Sequence, residues 1–151
     1  SQQTKQDIID FLDIPESKIT VVYQGCNNIF QKPIAESKKE ETLKKHNIPT
    51  KYLLNVGSIE ERKNLLSLLQ ALKELPNQKL VVIGNGKSYK IKCLRYITKH
   101  NLSDRVMFLS NLTLEEMAVI YQSAQIMLYP SIFEGFGIPI LESLFSKTPV
   151  I

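Results

Sequence analysis

The chain has 151 residues, which is enough for one domain with a substantial core and too few for two comfortable ones. Its hydrophobic fraction of 43% and charged fraction of 23% are typical of a globular domain, and no apolar run approaches the length of a membrane span. The net charge of +4 comes from lysines dispersed among acids, without the aromatic-interleaved basic patch expected of a nucleic-acid-binding protein, so we expect no nucleic-acid partner.

The apolar pattern predicts strands and helices in alternation along the chain. Strands are expected at 19–23, 52–56, 79–83, 106–109 and 126–129, with a sixth beginning at 149–151. Helices are expected at 4–12, 36–46, 64–75, along Ile91, Leu94 and Ile97, after Thr113, and at 138–146. This alternation predicts an α/β fold, a Rossmann-like doubly wound parallel sheet of about five to six strands with helices on both faces.

The ends and the cysteines of the chain suggest its context. The chain opens in a helix-like segment and stops in an apolar strand, so we expect residues 1–151 to be a single, truncated domain of a longer polypeptide. Cys26 and Cys93 stand alone, and neither His46 nor His100 lies at a metal-ligand spacing from them. We therefore expect no metal site and a reducing, cytoplasmic setting.

The stretch Pro130–Glu142 combines a strand end, a loop with two glycines and a helix start. Such an arrangement forms an anion site, because the first N–H groups of the helix are unpaired and glycine lets a ligand approach the backbone. Glu134 and Glu142 flank this loop and suggest a ligand with many hydroxyls beside a phosphate. Taken alone, Glu134 is equally an acid favoured by the helix dipole, and Glu142 a solvated residue on a helix face.

A second loop, residues 57–64, places Arg62 and Lys63 together just before a helix. The planar guanidinium and the compact ammonium together suit two adjacent phosphates. A lone Arg-Lys pair is more often a pair of surface cations. The helix dipole disfavours cations at a helix N-terminus, however, so their position here calls for an anion.

The loop Gly84-Asn85-Gly86 matches half of a dinucleotide-binding fingerprint. Tyr89 stands where the third glycine would be, and Asp104, at the distance of a ribose-binding acid, precedes a strand. A nicotinamide-dependent dehydrogenase is therefore the weakest candidate. We interpret the loop as a tight turn that brings the backbone close to a ligand.

Four motifs, in order, resemble one family. The run PSIFEGFGIPILE with the later TPVI strongly resembles the donor-binding domain of retaining glycosyltransferases of the two-domain GT-B architecture. Glu134 and Glu142 match the family's pair of glutamates separated by seven residues, NVGSIEERKN its glycine turn with an Arg-Lys pair, and IGNG its next glycine turn. VVYQGCNNIF resembles the segment that leads in from the interdomain hinge, so residues 1–35 are expected to be hinge-proximal.

The resemblance implies roles for the matching residues. Arg62 and Lys63 would hold the donor's diphosphate and stabilise its charge, and Glu134 would bind the transferred sugar. Glu142 would accept hydrogen bonds from the ribose hydroxyls. The other implied donor-binding residues contact phosphate, sugar or base: Gly57, Gly135, Phe136, Gly137, Leu109, Leu112 and Met117. Ser110 and Lys147 replace glycines that are usual in the family, and Ser110 could alter the base pocket.

The resemblance also implies a function. A hexose would pass with retention from a UDP- or GDP-sugar to a glycan or lipid-linked acceptor, in cell-surface polysaccharide synthesis, without an obligatory metal or cofactor. The acceptor would bind a domain outside residues 1–151, so this fragment alone is expected to be inactive. Peripheral association of the full-length protein with the inner face of the membrane stays open. The alternatives are a non-catalytic nucleotide- or phosphate-binding module, a sugar-nucleotide epimerase of the same fold and, without a signalled pyridoxal-phosphate lysine, a phosphorylase.

Overall fold

A computed structural model describes residues 1–151 and contains one parallel sheet. Its strands are β1 (Leu53–Val56), β2 (Leu80–Ile83), β3 (Val106–Leu109) and β4 (Ile126–Met127). They lie in the order β3-β2-β1-β4, and every pairing is parallel. The α/β fold with a parallel sheet is therefore confirmed, and the sheet has four strands, fewer than the five to six predicted.

Six α-helices accompany the sheet. They are α1 (Gln2–Leu12), α2 (Glu36–Lys45), α3 (Leu65–Lys73), α4 (Ser88–Lys99), α5 (Leu114–Ser123) and α6 (Ile138–Phe145). Short 3-10 turns occupy Glu16–Lys18, Asn28–Gln31 and Glu61–Lys63. None of the helices has both the length and the apolar content that crossing a bilayer would require.

The sheet separates two apolar clusters, as a doubly wound fold requires. Leu54 and Val81 point to one cluster, which also contains buried residues of α5. Leu80 and Val82 point to the opposite cluster, with buried residues of α3 and α4. Successive side chains of a strand face opposite sides, so helices cover both faces and every residue of β2 is buried.

Two predicted strands are not formed as expected. Residues 19–23 have no regular secondary structure, and Val22 and Tyr23 in that run are 81% and 61% exposed. This β-branched run has strand composition but pairs with no neighbouring strand, and an unpaired strand leaves its backbone polar groups unsatisfied. The run at 149–151 contributes a single parallel bridge between Val150 and Met127.

The buried face of α4 also differs from the prediction. Ile91 and Leu94 are 52% and 41% exposed, whereas Tyr89, Cys93 and Ile97 are buried. The hydroxyl of Tyr89 accepts a 3.1 Å hydrogen bond from the backbone N–H of Leu66 at the start of α3. This bond satisfies the hydroxyl group of Tyr89, so its ring can pack in the core in place of Ile91 and Leu94.

A buried polar side chain in β1 aligns the ends of two strands. Asn55 is 8% exposed, and its amide Nδ2 donates a 2.8 Å hydrogen bond to the carbonyl of Leu128. The N–H of Leu128 in turn donates to the carbonyl of Leu54 at 2.7 Å. These bonds hold the chain leaving β4 beside the end of β1, so the two following loops begin side by side.

Candidate functional site

The loop after β1 presents two adjacent cations. Gly57 has φ of 147°, a conformation that side chains rarely adopt, and a Cβ there would lie 3.5 Å from Lys63 Cε. The chain then forms the 3-10 turn that contains Arg62 and Lys63. Asn64 ends this turn in the left-handed conformation and begins α3. Arg62 and Lys63 thus lie immediately before a helix, as their sequence position predicts.

The loop after β4 is attached to this turn by three hydrogen bonds to backbone carbonyls. The carbonyl of Arg62 accepts a 2.8 Å bond from the N–H of Ile132 and a 3.2 Å bond from the hydroxyl of Ser131. The amide of Asn64 donates to the carbonyl of Pro130 at 3.4 Å. These contacts fix the second loop against the first over its whole beginning.

Arg62, Lys63 and Glu134 meet where the two loops touch. Lys63 Nζ donates to Oε1 of Glu134 in a close contact, and Arg62 Nη1 lies 3.4 Å from Oε2. Arg62 also contacts Glu60, with Nε 3.2 Å from Oε2. Lys63 and Glu134 side chains are 13% and 21% exposed, whereas Arg62 is 46% exposed. The carboxylate therefore bridges one sheltered and one open cation.

The electrostatics keep this group ionised. Burial alone would raise the pKa of Glu134, but hydrogen bonds from Lys63 and Ser131 outweigh it and the pKa lies below its usual value. For Lys63, burial alone would lower the pKa, and the bonds to Glu134 and Tyr129 reverse this, so the pKa lies above its usual value. The helix dipole at α3 called for an anion beside these cations, and Glu134 supplies one.

Glu142 lies on α6 and makes a separate hydrogen bond. The fully buried Tyr121 donates from its hydroxyl to Oε2 of Glu142 at 2.7 Å. Burial raises the pKa of Glu142, and the bond from Tyr121 partly offsets this. Burial and then the charge of Glu142 raise the pKa of Tyr121, with smaller contributions from Tyr129 and Cys26. Glu142 is thus held by Tyr121, and no hydrogen bond joins it to Lys63 or Glu134.

The glycine loop between β4 and α6 is partly covered by the first part of the chain. A Cβ on Gly135 would lie 3.8 Å from the hydroxyl of Thr4, and the rings of Phe136 and Tyr23 have centroids 6.0 Å apart. Gly137 has φ of 81° and is the N-cap of α6, where it offers no side chain to the first-turn N–H groups. Pro139 has no N–H and the N–H of Ile140 donates to the carbonyl of Gly137 at 2.9 Å, so the N–H of Ile138 is the first-turn donor left to bind a ligand.

The predicted base-binding residues form an apolar patch. Leu109 ends β3, Leu112 lies in the following loop and Met117 lies on α5. All three are partly buried and pack against the same apolar cluster that contains Tyr121. Their contact with a base stays a prediction.

The two glycines of the loop Gly84-Asn85-Gly86 are explained by packing within the chain itself. A Cβ on Gly84 would lie 1.9 Å from the carbonyl oxygen of Gly57, and one on Gly86 would lie 2.4 Å from that of Ile59. The carbonyl of Asn85 accepts a 2.8 Å bond from the N–H of Ile59. The two glycines thus let this loop pack against the loop that carries Arg62 and Lys63; close approach to a ligand is not needed to explain them.

Sequence reasoning missed three hydroxyl groups of the site. Tyr129 accepts a 2.9 Å hydrogen bond from Lys63, Ser131 donates to Glu134, and Tyr121 donates to Glu142. Tyr129 was read only as part of an apolar strand, and Tyr121 only as part of a helix face. Their signal was a polar tip on an aromatic ring at a strand or helix position that faces the predicted site.

This arrangement can hold an anion and a polyhydroxylated group side by side. The two cations and the uncapped start of α6 suit phosphates, and the carboxylates suit hydroxyl donors. The chain contains no group of three or more His, Cys, Asp or Glu side chains placed to hold a metal ion.

Comparison with known proteins gives relatives of one kind. The chain is 29% identical to the O-antigen chain mannosyltransferase RfbU of Salmonella typhimurium, over 100% of this chain and 40% of that protein. It is 33% identical to a D-inositol 3-phosphate glycosyltransferase of Corynebacterium aurimucosum, over 99% of this chain and 38% of that protein. The chain thus spans about two fifths of the length of these curated relatives.

A solved structure shares the fold. Anabaena HepE, solved in complex with UDP and glucose, superposes with a TM-score of 0.86 at 19% identity, over 99% of this chain and 42% of that one. The profile of the family described as glycosyl transferases group 1 matches residues 38–151. That match covers well over half of the sequence, and the chain therefore belongs to the glycosyl transferases group 1 family.

Proposed function

We propose that this chain is the donor-binding domain of a larger two-domain glycosyltransferase. The whole protein would transfer a hexose from a nucleoside-diphosphate sugar to a glycan or lipid-linked acceptor, in cell-surface polysaccharide synthesis. Family membership and the RfbU relative, an O-antigen chain mannosyltransferase, support the reaction class. The likeness to HepE, which was solved with UDP and glucose, supports a nucleotide-sugar donor.

The meeting of Arg62, Lys63 and Glu134 at the ends of β1 and β4 carries this proposal. In a doubly wound sheet, ligands bind beyond the carboxyl ends of the strands, which is where these side chains lie. Arg62 and Lys63 would hold the diphosphate, and Glu134 would accept hydrogen bonds from the transferred sugar beside it. Glu142 would bind the ribose, and the patch defined by Leu109, Leu112 and Met117 would contact the base.

The proposed chemistry is electrostatic. When the bond between sugar and diphosphate breaks, negative charge develops on the leaving diphosphate. The cations of Arg62 and Lys63 and the N–H of Ile138 at the start of α6 would stabilise that charge. We propose that they do so without an obligatory metal, and that the configuration of the transferred sugar is retained, as in the enzymes that the glycine loop resembles. The anomeric proton signal of the first-formed product, followed by NMR, tests retention.

The first experiment identifies the donor. Calorimetry and thermal unfolding of the full-length protein are measured with UDP, GDP, ADP and their sugars. A ligand present at a hundred times its dissociation constant adds about 2.7 kcal/mol to the free energy of unfolding. Binding of one nucleoside diphosphate with its sugar supports the proposal, and a protein that none of them stabilises contradicts it.

The second experiment separates an enzyme from a binding module. Arg62→Ala and Glu134→Ala are compared in the full-length protein with Arg95→Ala, a control on an exposed position of α4. Turnover that is lost in both site variants, at an unchanged melting temperature, supports catalysis. Donor binding without transfer to any glycan or lipid-linked acceptor favours the non-catalytic module. Conversion of a nucleotide sugar to its epimer without an acceptor favours an epimerase.

We propose that the full-length protein works in the cytoplasm, at the inner face of the membrane, where a lipid-linked acceptor would be presented. Cell fractionation tests this. Recovery with membranes that is reversed by high salt supports peripheral association, because exposed charge contacts are screened by salt. Recovery only in the soluble fraction contradicts the membrane part.

A further inference from the structure

The ammonium group of Lys63 has three N–H donors, and the protein uses two of them. One is directed to Glu134 and another to the phenol oxygen of Tyr129 at 2.9 Å. The third is left for a ligand. Because Tyr129 is a neutral acceptor, it fixes the direction of the ammonium without neutralising its charge. A flexible four-carbon side chain held at two points has also lost most of its rotamer freedom before a ligand binds.

Tyr129 is placed to serve this group specifically. It follows β4 directly, and its backbone N–H donates to the carbonyl of Ile151 at 2.6 Å, which anchors its main chain. Its hydroxyl contributes to lowering the pKa of Glu134, so it lies near both members of the ion pair. A Cβ on Gly137 would lie 3.9 Å from Cε1 of its ring. Tyr129 thus borders the cation, the acid and the glycine loop of the site.

A purely structural role for Tyr129 has to be set against this. Its ring packs against the apolar cluster beneath α5, and a phenylalanine would fill that space equally well. Lys63 Nζ also lies 5.0 Å from the centroid of the Tyr129 ring, a cation–π contact that a phenylalanine would keep, so Tyr129→Phe removes only the hydrogen bond from Lys63 to the hydroxyl. The ring and the hydroxyl therefore have separable functions, and removing only the oxygen tests the second.

We propose that Tyr129 is a positioning residue for the glycosyl-transfer reaction, whose hydroxyl holds the Lys63 ammonium with one N–H directed at the donor's diphosphate. This rests on the proposed function, because it requires a diphosphate at Lys63. Tyr129 does not touch the reacting atoms and acts through Lys63.

The test is a double-mutant cycle in the full-length protein. Tyr129→Phe, Lys63→Met and the double variant are compared for affinity to UDP and to GDP by calorimetry. We expect Y129F alone to weaken binding of the preferred nucleotide on the order of tenfold, as for one lost hydrogen bond to a charged group. In the K63M background the same substitution should change affinity less than about twofold, because coupled residues are not additive.

A matched control is available on the other side of the molecule. Tyr96 lies on α4, and its ring stacks against His100 with centroids 4.2 Å apart. Tyr96→Phe should leave affinity unchanged. If Y129F loses stability, Tyr129→Leu provides a second variant, which removes the hydroxyl together with the ring beside Lys63, and melting temperatures show which variant is folded.

The outcomes separate the two claims. The positioning role is overturned if Y129F weakens nucleotide affinity equally with and without Lys63, or does not weaken it at all. Either result leaves the proposed function standing. If K63M itself binds both nucleotides as tightly as the unaltered protein, the diphosphate site is wrong and both claims fail. If Y129F weakens nucleotide affinity only when Lys63 is present, both the positioning role and the diphosphate site are supported.

Discussion

The buried phenol of Tyr121 donates a 2.7 Å hydrogen bond to Oε2 of Glu142 and thereby joins α5 to α6. Tyr121 is also packed edge-on against Phe30, with ring centroids 5.4 Å apart. One oxygen of Glu142 is therefore occupied by the protein. The other is the one that the proposed function assigns to the ribose.

Tyr121→Phe should weaken both stability and donor binding. A half-buried carboxylate would lose its hydrogen bond, which costs about 1–3 kcal/mol of unfolding free energy. The pKa of Glu142 should rise further, because the bond from Tyr121 lowers it. A raised carboxyl pKa means that the folded state binds a proton more readily than the unfolded one. Stability of the variant should therefore fall as pH rises from the unfolded pKa through the folded pKa.

Urea denaturation of Y121F and the unaltered protein between pH 4 and 8 measures this, with Tyr96→Phe as the matched control. A stability difference that is flat across this range would show that the carboxyl group does not sense Tyr121.

The contacts of Glu116 predict that stability falls as pH falls, the opposite direction from that expected for Glu142. It closes the capping box of α5 with Thr113 and contacts Lys45 and His46 at 2.7 Å each. Hydrogen bonds from Lys45, the Thr113 backbone and His46 lower its pKa from 4.5 to about 2. The folded state thus favours the charged form, so this stabilisation is present above the unfolded pKa and is lost as pH falls through the folded one.

Glu116→Gln keeps an acceptor for the capping box but removes the charge that faces Lys45 and His46, so it should cost about 0.2–1 kcal/mol at neutral pH, the range of exposed ion pairs. The difference from the unaltered protein should shrink as pH falls from 4.5 towards 2, because over that range Glu116 binds a proton in the unfolded chain more readily than in the folded protein. Urea midpoints at neutral and acidic pH measure it, and the exposed neighbour Glu115→Gln is the control. A difference that stays constant as pH falls would contradict the assignment.

Gly84→Ala should disrupt the site from a distance. The new Cβ would lie 1.9 Å from the Gly57 carbonyl oxygen, so one of the two loops must move. Because the moving loop carries or supports Arg62 and Lys63, we expect a lower melting temperature together with weaker donor binding. Gly25→Ala is the control, because a Cβ there meets nothing within 4 Å. If G84A binds the donor normally at an unchanged melting temperature, the loop packing does not support the site.

Leu69→Ala tests the core on the α3 side of the sheet. Leu69 is fully buried, and truncation of such a leucine costs about 2–5 kcal/mol through lost transfer energy and a residual cavity. Leu75, 47% exposed just after α3, is the matched control, and Leu75→Ala should cost well under 1 kcal/mol, roughly the scale of surface substitutions. Chemical denaturation measures both, and equal losses would place Leu69 outside the core.

The alternation of strands and helices was predictable because buried parallel strands and amphipathic helices leave different periodic patterns. The prediction of a strand was wrong at residues 19–23, where composition favoured a strand but no partner strand lies beside the segment. The prediction of which side chains of α4 face the core was also wrong in part. Two apolar stripes were available, and the one that contains Tyr89 and Cys93 is buried. The apolar pattern of one segment does not show where the helix or strand that packs against it will lie.

For the site, the resemblance to glycosyltransferases implied that Arg62, Lys63 and Glu134 contact one ligand, and the structure brings the three side chains into contact. The direct bond between Lys63 and Glu134 was not predicted, because each had been assigned to a ligand and not to the other. Tyr129 was not predicted, since the polar tip of a tyrosine at the end of an apolar run does not show which partner its hydroxyl contacts.

The carbonyl of Arg62 is the anchor of the Glu134 loop, through the bonds from Ile132 and Ser131. Every amino acid has a carbonyl, so exchanging the side chain at position 62 removes the guanidinium without loosening that anchor. The position is therefore unusually clean for dissection. Substituting lysine, glutamine or alanine there grades charge and hydrogen-bonding reach in turn, and the loop loses only the contacts of the guanidinium to Phe133 and Glu134, at 3.5 and 3.4 Å.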